Sequence, residues 1–149
     1  MSHSSYVFDA YGTLFDVHSA VRRHEDKAGP DGAAFSLLWR TKQLEYSWTL
    51  SLMGEYRDFW KLTEEALDFA FARYPSVDPA LRNDLLEAYW KLDCYPEVPA
   101  ALKSLKSRGA RLAILSNGSP AMLEAAVKSS ALDVLLDDVI SADSVRRYK

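Results

Sequence analysis

The sequence predicts an open α/β fold: a parallel sheet with covering helices, interrupted after its first strand by a block of helices. Two observations carry this. Three short apolar segments, at 5–8, 111–115 and 139–141, have the length and bulk of strands, and the later ones alternate with helical segments. Between the first strand and the rest lies a long stretch whose apolar residues recur at helical spacing. Strand–helix–strand alternation favours parallel pairing with right-handed crossovers. Residues at the strands' carboxyl ends should then converge on one ligand-binding edge.

Ser5 to Phe8 reads as a buried strand that delivers Asp9. Asp16 to Asp31 is polar, and Gly29-Pro30-Asp31-Gly32 marks a turn. Ala34 to Leu52 sets Phe35, Leu38, Trp39 and Leu52 among charged residues and predicts a helix. Glu55 to Tyr74 is the cleanest helical pattern, through Tyr56, Phe59, Trp60, Ala66, Leu67, Ala70 and Tyr74, and Pro75 stops it. Asp78-Pro79 is a helix start, with a capping side chain and Pro in the first turn; Leu81, Leu85, Ala88, Tyr89 and Leu92 follow on one face. Glu97 to Arg108 predicts a helix ended by Gly109, and Arg111 to Leu115 a strand. Ser119 caps the next helix with Pro120 at its first position, and Val139 to Ser141 is the last strand. Trp39, Trp48, Trp60 and Trp90 read as helix-packing residues. There are no internal repeats and no low-complexity segments.

A chain of 149 residues can form one domain with a real core. Its net charge of −3, without any Lys/Arg run, argues against nucleic acid as a partner. No apolar run approaches membrane-spanning length. Met1-Ser2-His3-Ser4-Ser5 has neither the basic region nor the apolar stretch of a secretory signal. Cys94 is the single cysteine, so no intramolecular disulfide can form, and a cytoplasmic location is expected. His3, His18 and His24 show no metal-ligand spacing.

The chemistry is concentrated at Val7-Phe8-Asp9-Ala10-Tyr11-Gly12-Thr13-Leu14-Phe15. A carboxylate at a strand tip, followed by a Gly turn and a Thr hydroxyl, suits a nucleophile; its bland alternative is a turn or helix cap. A carboxylate oxygen can displace a leaving group from an sp³ carbon and form an ester. An alkoxide leaving group needs a neighbouring acid to protonate it. A halide is a weak base and needs none. Two residues after Asp9 stands Tyr11 rather than an acid, which fits halide departure better than phosphate-ester cleavage.

Phe8-Asp9-Ala10-Tyr11-Gly12-Thr13-Leu14 resembles the first motif of the haloacid dehalogenase superfamily, whose phosphatases carry Asp-x-Asp and whose L-2-haloacid dehalogenases carry Asp-x-Tyr-Gly-Thr. The resemblance continues through Leu38-Trp39-Arg40-Thr41-Lys42-Gln43-Leu44-Glu45-Tyr46 and Leu115-Ser116-Asn117-Gly118-Ser119-Pro120 to Tyr148-Lys149, and so covers essentially the whole chain. It implies a Rossmann-like core, incomplete in this chain, formed by 1–16 and 94–149, with 17–93 as an inserted four-helix cap. It also implies roles. Asp9 is the nucleophile, and Thr13 fixes its carboxylate. Arg40 receives the substrate carboxylate or the departing halide, and Ser116 and Asn117 bind the substrate carboxylate. Lys149 pairs with Asp9. Tyr11, Leu44 and Phe59 line the pocket around the alkyl part of the substrate. Thr13 could equally be a turn residue, Arg40 a solvated surface arginine, and the pocket residues plain core. Thr41 stands where some relatives carry a longer amide, which bears on pocket size and not on the reaction.

The implied activity is hydrolysis of short L-2-haloalkanoic acids to 2-hydroxy acids with inversion, releasing halide, without metal or other cofactor and in a homodimer. The resemblance also implies a longer chain: the sequence stops where the third motif begins, and the fourth motif, with its water-activating acid, is expected beyond Lys149. The alternatives are a phosphatase or phosphonate hydrolase of the same superfamily, and a chain that is inert without its later strands. In the second case, the first strand becomes an exposed apolar edge.

Overall fold

The computed structural model describes residues 4–149. Met1, Ser2 and His3, read above as an N-terminus without a secretory signal, lie outside the described residues. Three strands, β1 (Ser5–Phe8), β2 (Arg111–Ser116) and β3 (Asp138–Ser141), form one parallel sheet in the order β1-β2-β3. The register pairs Phe8 with Ile114 and Ser116 with Ser141, so the carboxyl ends of all three strands lie along one edge. β2 is the central strand, and Leu112, Ile114 and Ser116 on it are buried. β1 differs from the buried strand expected. It pairs with β2 alone, and Tyr6 and Val7 are 40% and 61% exposed.

Between β1 and β2 run α1 (Ser19–Arg22), α2 (Glu25–Ala28), α3 (Gly32–Met53), α4 (Phe59–Arg73), α5 (Arg82–Trp90) and α6 (Val98–Ser107); α7 (Pro120–Ser129) joins β2 to β3. The polar segment 16–31 is thus two single helical turns. α4 begins at Phe59 rather than Glu55, because Asp58 is the cap: its side chain accepts from Lys61 N at 3.2 Å. Asp78 likewise caps a short 3₁₀ turn, Pro79–Leu81, which leads into α5. Ser119 caps α7 through Met122 N, with Pro120 at the first position as expected.

The helices before α6 pack on one another and share one hydrophobic cluster with the sheet. Phe35 of α3 packs edge-on against Phe71 of α4, 4.9 Å between ring centroids. Trp39 Nε1 donates to Thr63 O at 2.9 Å, joining α3 to α4, and Trp60 lies 4.4 Å from Trp90, joining α4 to α5. Trp48 departs from the packing role expected of it, being 60% exposed. The chain segments that leave the sheet and return to it pair with each other. Asp16 N donates to Asp93 O at 2.8 Å, Tyr95 N to Leu14 O at 3.0 Å, and Phe15 bridges Cys94. Among the described residues no helix is long and apolar enough to cross a membrane.

Candidate active site

Asp9 follows β1 directly, and the turn after it is wound around one carbonyl. Thr13 N, Leu14 N and Phe15 N all point to Ala10 O, at 3.2, 2.9 and 3.0 Å. Gly12 adopts φ +90°, a conformation in which a side chain would be strained. The winding brings Thr13 Oγ1 to 3.4 Å from Asp9 Oδ2. Against the other carboxylate oxygen lies the ammonium of Lys149, 2.5 Å from Asp9 Oδ1. Lys149 is held at three points: Nζ also donates to Leu115 O at 2.8 Å, and its main-chain N donates to Asn117 Oδ1 at 2.8 Å. Strand tips β1 and β2 and the segment after β3 therefore meet at one carboxylate, about one-third exposed.

Ser116 and Asn117 hold this edge together. Ser116 is buried, and its Oγ accepts from Gly118 N at 3.1 Å. Ser141 Oγ at the end of β3 donates to Gly118 O at 2.6 Å. Here the Ser116 hydroxyl oxygen receives a backbone N–H of the strand-end loop, while the Asn117 amide oxygen meets Lys149.

Arg40 on α3 reaches the sheet edge. Its Nη2 donates to Tyr11 O at 2.7 Å and its Nη1 to Gln43 Oε1 at 2.7 Å. It is not a solvated surface arginine. Tyr11 is 3% exposed and sits in an aromatic box, stacked on Tyr89 at 5.8 Å and 16° and tilted against Phe59 and Phe15, each at 6.2 Å. Burial pushes the Tyr11 phenol well above its ordinary value; Tyr89 and Asp9 add to this and Arg40 opposes it. Burial raises the Tyr89 phenol too. Both rings are neutral at physiological pH. Leu44 lies half-buried one helical turn beyond Arg40, on the same side of α3. Phe59 is buried with its ring against Tyr11.

The arrangement is a carboxylate with one oxygen on an ammonium, a guanidinium near it, and an apolar wall. It can attack an electrophilic carbon while holding an anionic substrate. Among the described residues no three His, Cys, Asp or Glu side chains gather as a metal site.

The sequence model of the haloacid dehalogenase-like hydrolases matches residues 4–149. The chain belongs to the haloacid dehalogenase-like hydrolases. Within this family of hydrolases it is 54% identical to (S)-2-haloacid dehalogenase 4A of Burkholderia cepacia, over 96% of this chain and 62% of that protein. A dehalogenase crystal structure superposes with a TM-score of 0.93 at 51% identity, covering 99% of this chain and 65% of that one. The L-2-haloacid dehalogenase of Xanthobacter autotrophicus, with chloropropionic acid covalently bound, superposes with a TM-score of 0.87 at 41% identity, covering 99% of this chain and 60% of that one. The chain thus spans about 62% of the length of the first of these relatives.

In this haloacid dehalogenase-like hydrolase, three contributors to the site are not evident from the sequence. Gln43 and Tyr89 contact the Arg40 cluster from two helices, and Ser141 pins the β2–α7 loop. Gln43 carried one usable signal: it lies three residues from Arg40, on the same helical face. Tyr89 carried none beyond its place on an apolar face.

Proposed function

We propose that this chain carries the nucleophilic site of an L-2-haloacid dehalogenase. The observation that carries the reading is the Asp9–Lys149 pair, 2.5 Å apart, with Tyr11 rather than an acid two residues on. An Asp9 carboxylate oxygen attacks carbon two of an L-2-haloalkanoate from the side opposite the halogen. The new C–O bond forms as the carbon–halogen bond breaks, and the bonding pair leaves with the halide. Water then attacks the ester carbonyl, restoring the Asp9 carboxylate and releasing the inverted 2-hydroxy acid and a proton. Arg40, with Asn117 and the strand-end loop, meets the substrate carboxylate. Tyr11, Leu44 and Phe59 face the alkyl part and keep water from it, and Thr13 steadies Asp9. The chloropropionic acid bound covalently in the Xanthobacter autotrophicus protein supports a covalent intermediate. The chemistry asks for no metal or other cofactor.

The helices of 17–93 act as a cap over a core of 1–16 and 94–149. The pairing between Leu14–Asp16 and Asp93–Tyr95 supports this division. A homodimer is supported by Leu37, Trp48 and Leu52, exposed at helical spacing on α3. A cytoplasmic location is supported by the single cysteine.

The test is chloride release from L-2-chloropropionate by the 149-residue chain in EDTA. Release that is lost in Asp9→Asn supports the reading. Magnesium-dependent hydrolysis of a phosphate ester, without chloride release, would replace it with the phosphatase reading. Neither activity would mark this chain as inert.

A further inference from the structure

We propose that Gln43 is the positioning residue for Arg40, and that Thr63 fixes its amide the right way round. The inference rests on the reading that Arg40 receives the substrate carboxylate. It adds an orienting role for Gln43 and Thr63 to the contacts described above.

The argument is one of hydrogen-bond polarity. Thr63 is fully buried, and its single hydroxyl hydrogen goes to Phe59 O at 2.8 Å. Its oxygen can therefore only accept from a further partner. That partner is Gln43 Nε2, at 2.6 Å. Gln43 is 1% exposed, and Tyr89 Oη lies 3.0 Å from Nε2 and 3.2 Å from Oε1, so it can pair with either end of the amide and does not choose between them. With Nε2 turned to Thr63, Oε1 is left for Arg40, whose Nη1 meets it at 2.7 Å. A guanidinium only donates, so the reverse amide orientation would set NH₂ against NH₂. The sequence of bonds from Phe59 O to Arg40 thus has one allowed direction.

The consequence is orientation. Nη1 is fixed by a side chain on α3 and Nη2 by Tyr11 O after β1. Two acceptors on the two terminal nitrogens fix the plane of the guanidinium, and the remaining N–H groups present a ready fork to a carboxylate. Without Gln43 oriented in this way, Arg40 keeps its charge and its bond to Tyr11 O but loses the restraint on rotation.

The probe is propionate, which carries the carboxylate without a leaving group, so turnover is not needed. Its affinity for the full chain is read from the Arg40 side-chain ¹⁵N–¹H resonance during titration. Thr63→Val has similar bulk but cannot accept from Gln43; Thr63→Ser keeps the hydroxyl and loses a methyl. Propionate affinity is expected to fall about ten-fold in Gln43→Met and about three-fold or more in Thr63→Val, and to stay at the wild-type value in Thr63→Ser even though that variant also loses packing. The Arg40 resonance should broaden or shift in the first two only. Wild-type affinity in folded Thr63→Val overturns the inference, as does equal loss in Thr63→Ser and Thr63→Val. Should Gln43→Met not fold, the Thr63 pair decides alone. A wild-type chain that binds no propionate overturns the carboxylate site itself and this inference with it; a wild-type chain that binds, with variants unaffected, overturns the inference only.

Discussion

Gly118 and Tyr11 compete for the same space. A Cβ on Gly118 would lie 2.6 Å from Tyr11 Cε2 and 3.2 Å from Leu123 Cδ2. The tyrosine ring cannot retreat, because Phe15, Phe59 and Tyr89 surround it. Gly118→Ala should therefore overpack the junction between the β2–α7 loop and the turn after Asp9. The expected cost is about 1–3 kcal/mol of stability. A urea titration of both proteins measures it; an unchanged midpoint would mean that the loop shifts freely.

Asp9→Asn keeps the shape of the side chain and removes its charge from Lys149. Turnover should vanish while the far-UV circular dichroism stays as in the wild type. Chloride release and an intact-mass spectrum, which reveals any deamidation back to Asp, are measured together. Full activity with the Asn mass intact would dismiss Asp9 as nucleophile.

Acid should weaken the fold partly through Asp16. Burial alone would raise this carboxyl. The Arg22 guanidinium at 2.6 Å and the His18 backbone N–H at 2.9 Å outweigh it, and hold it below the ordinary aspartate value. A depressed folded-state value stabilises above the unfolded-state value, and the benefit fades as pH falls through the folded-state value. Asp16→Asn should thus be less stable than the wild type at pH 7. The gap should close below about pH 4, where the carboxyl begins to protonate in the unfolded chain. Urea midpoints of the two proteins across that range give the answer; a gap that widens on acidification would reverse the sign.

α3 presents Leu37, Trp48 and Leu52 to solvent, at 60%, 60% and 91% exposure. If a second copy covers this stripe, Trp48→Lys with Leu52→Lys should halve the mass seen by light scattering and leave the helix content unchanged. A wild-type chain that is already monomeric would remove the proposed dimer.

Much of this molecule could be read from its residues. Asp78 and Ser119 announce their helices because a capping side chain acts within three positions of itself. The convergence of Asp9, Ser116 and the region after Ser141 followed from parallel strand order, which is a matter of topology; the pairing of Lys149 with Asp9 came from the family resemblance. What stayed hidden depends on neighbours far along the chain. The exposure of β1 is set by which strand stands beside it, not by its apolar sequence. Trp48 resembles Trp39 in type and helix, yet one faces solvent and the other donates to Thr63 O. Gln43 reads as an ordinary helix glutamine until α4 and α5 bring Thr63 and Tyr89 to it.

The contact between Lys149 and Asp9 joins residues 140 positions apart. A chain emerging from a ribosome in order can form the turn around Ala10 O and the α3–α4 pair early, from neighbouring stretches. It cannot form the Asp9–Lys149 contact until everything between has been synthesised. Closing so long a loop is entropically costly, though the cost grows only slowly with length. Each nascent intermediate shorter than 149 residues therefore carries an Asp9 carboxylate without Lys149 beside it, and the contact waits on everything between them.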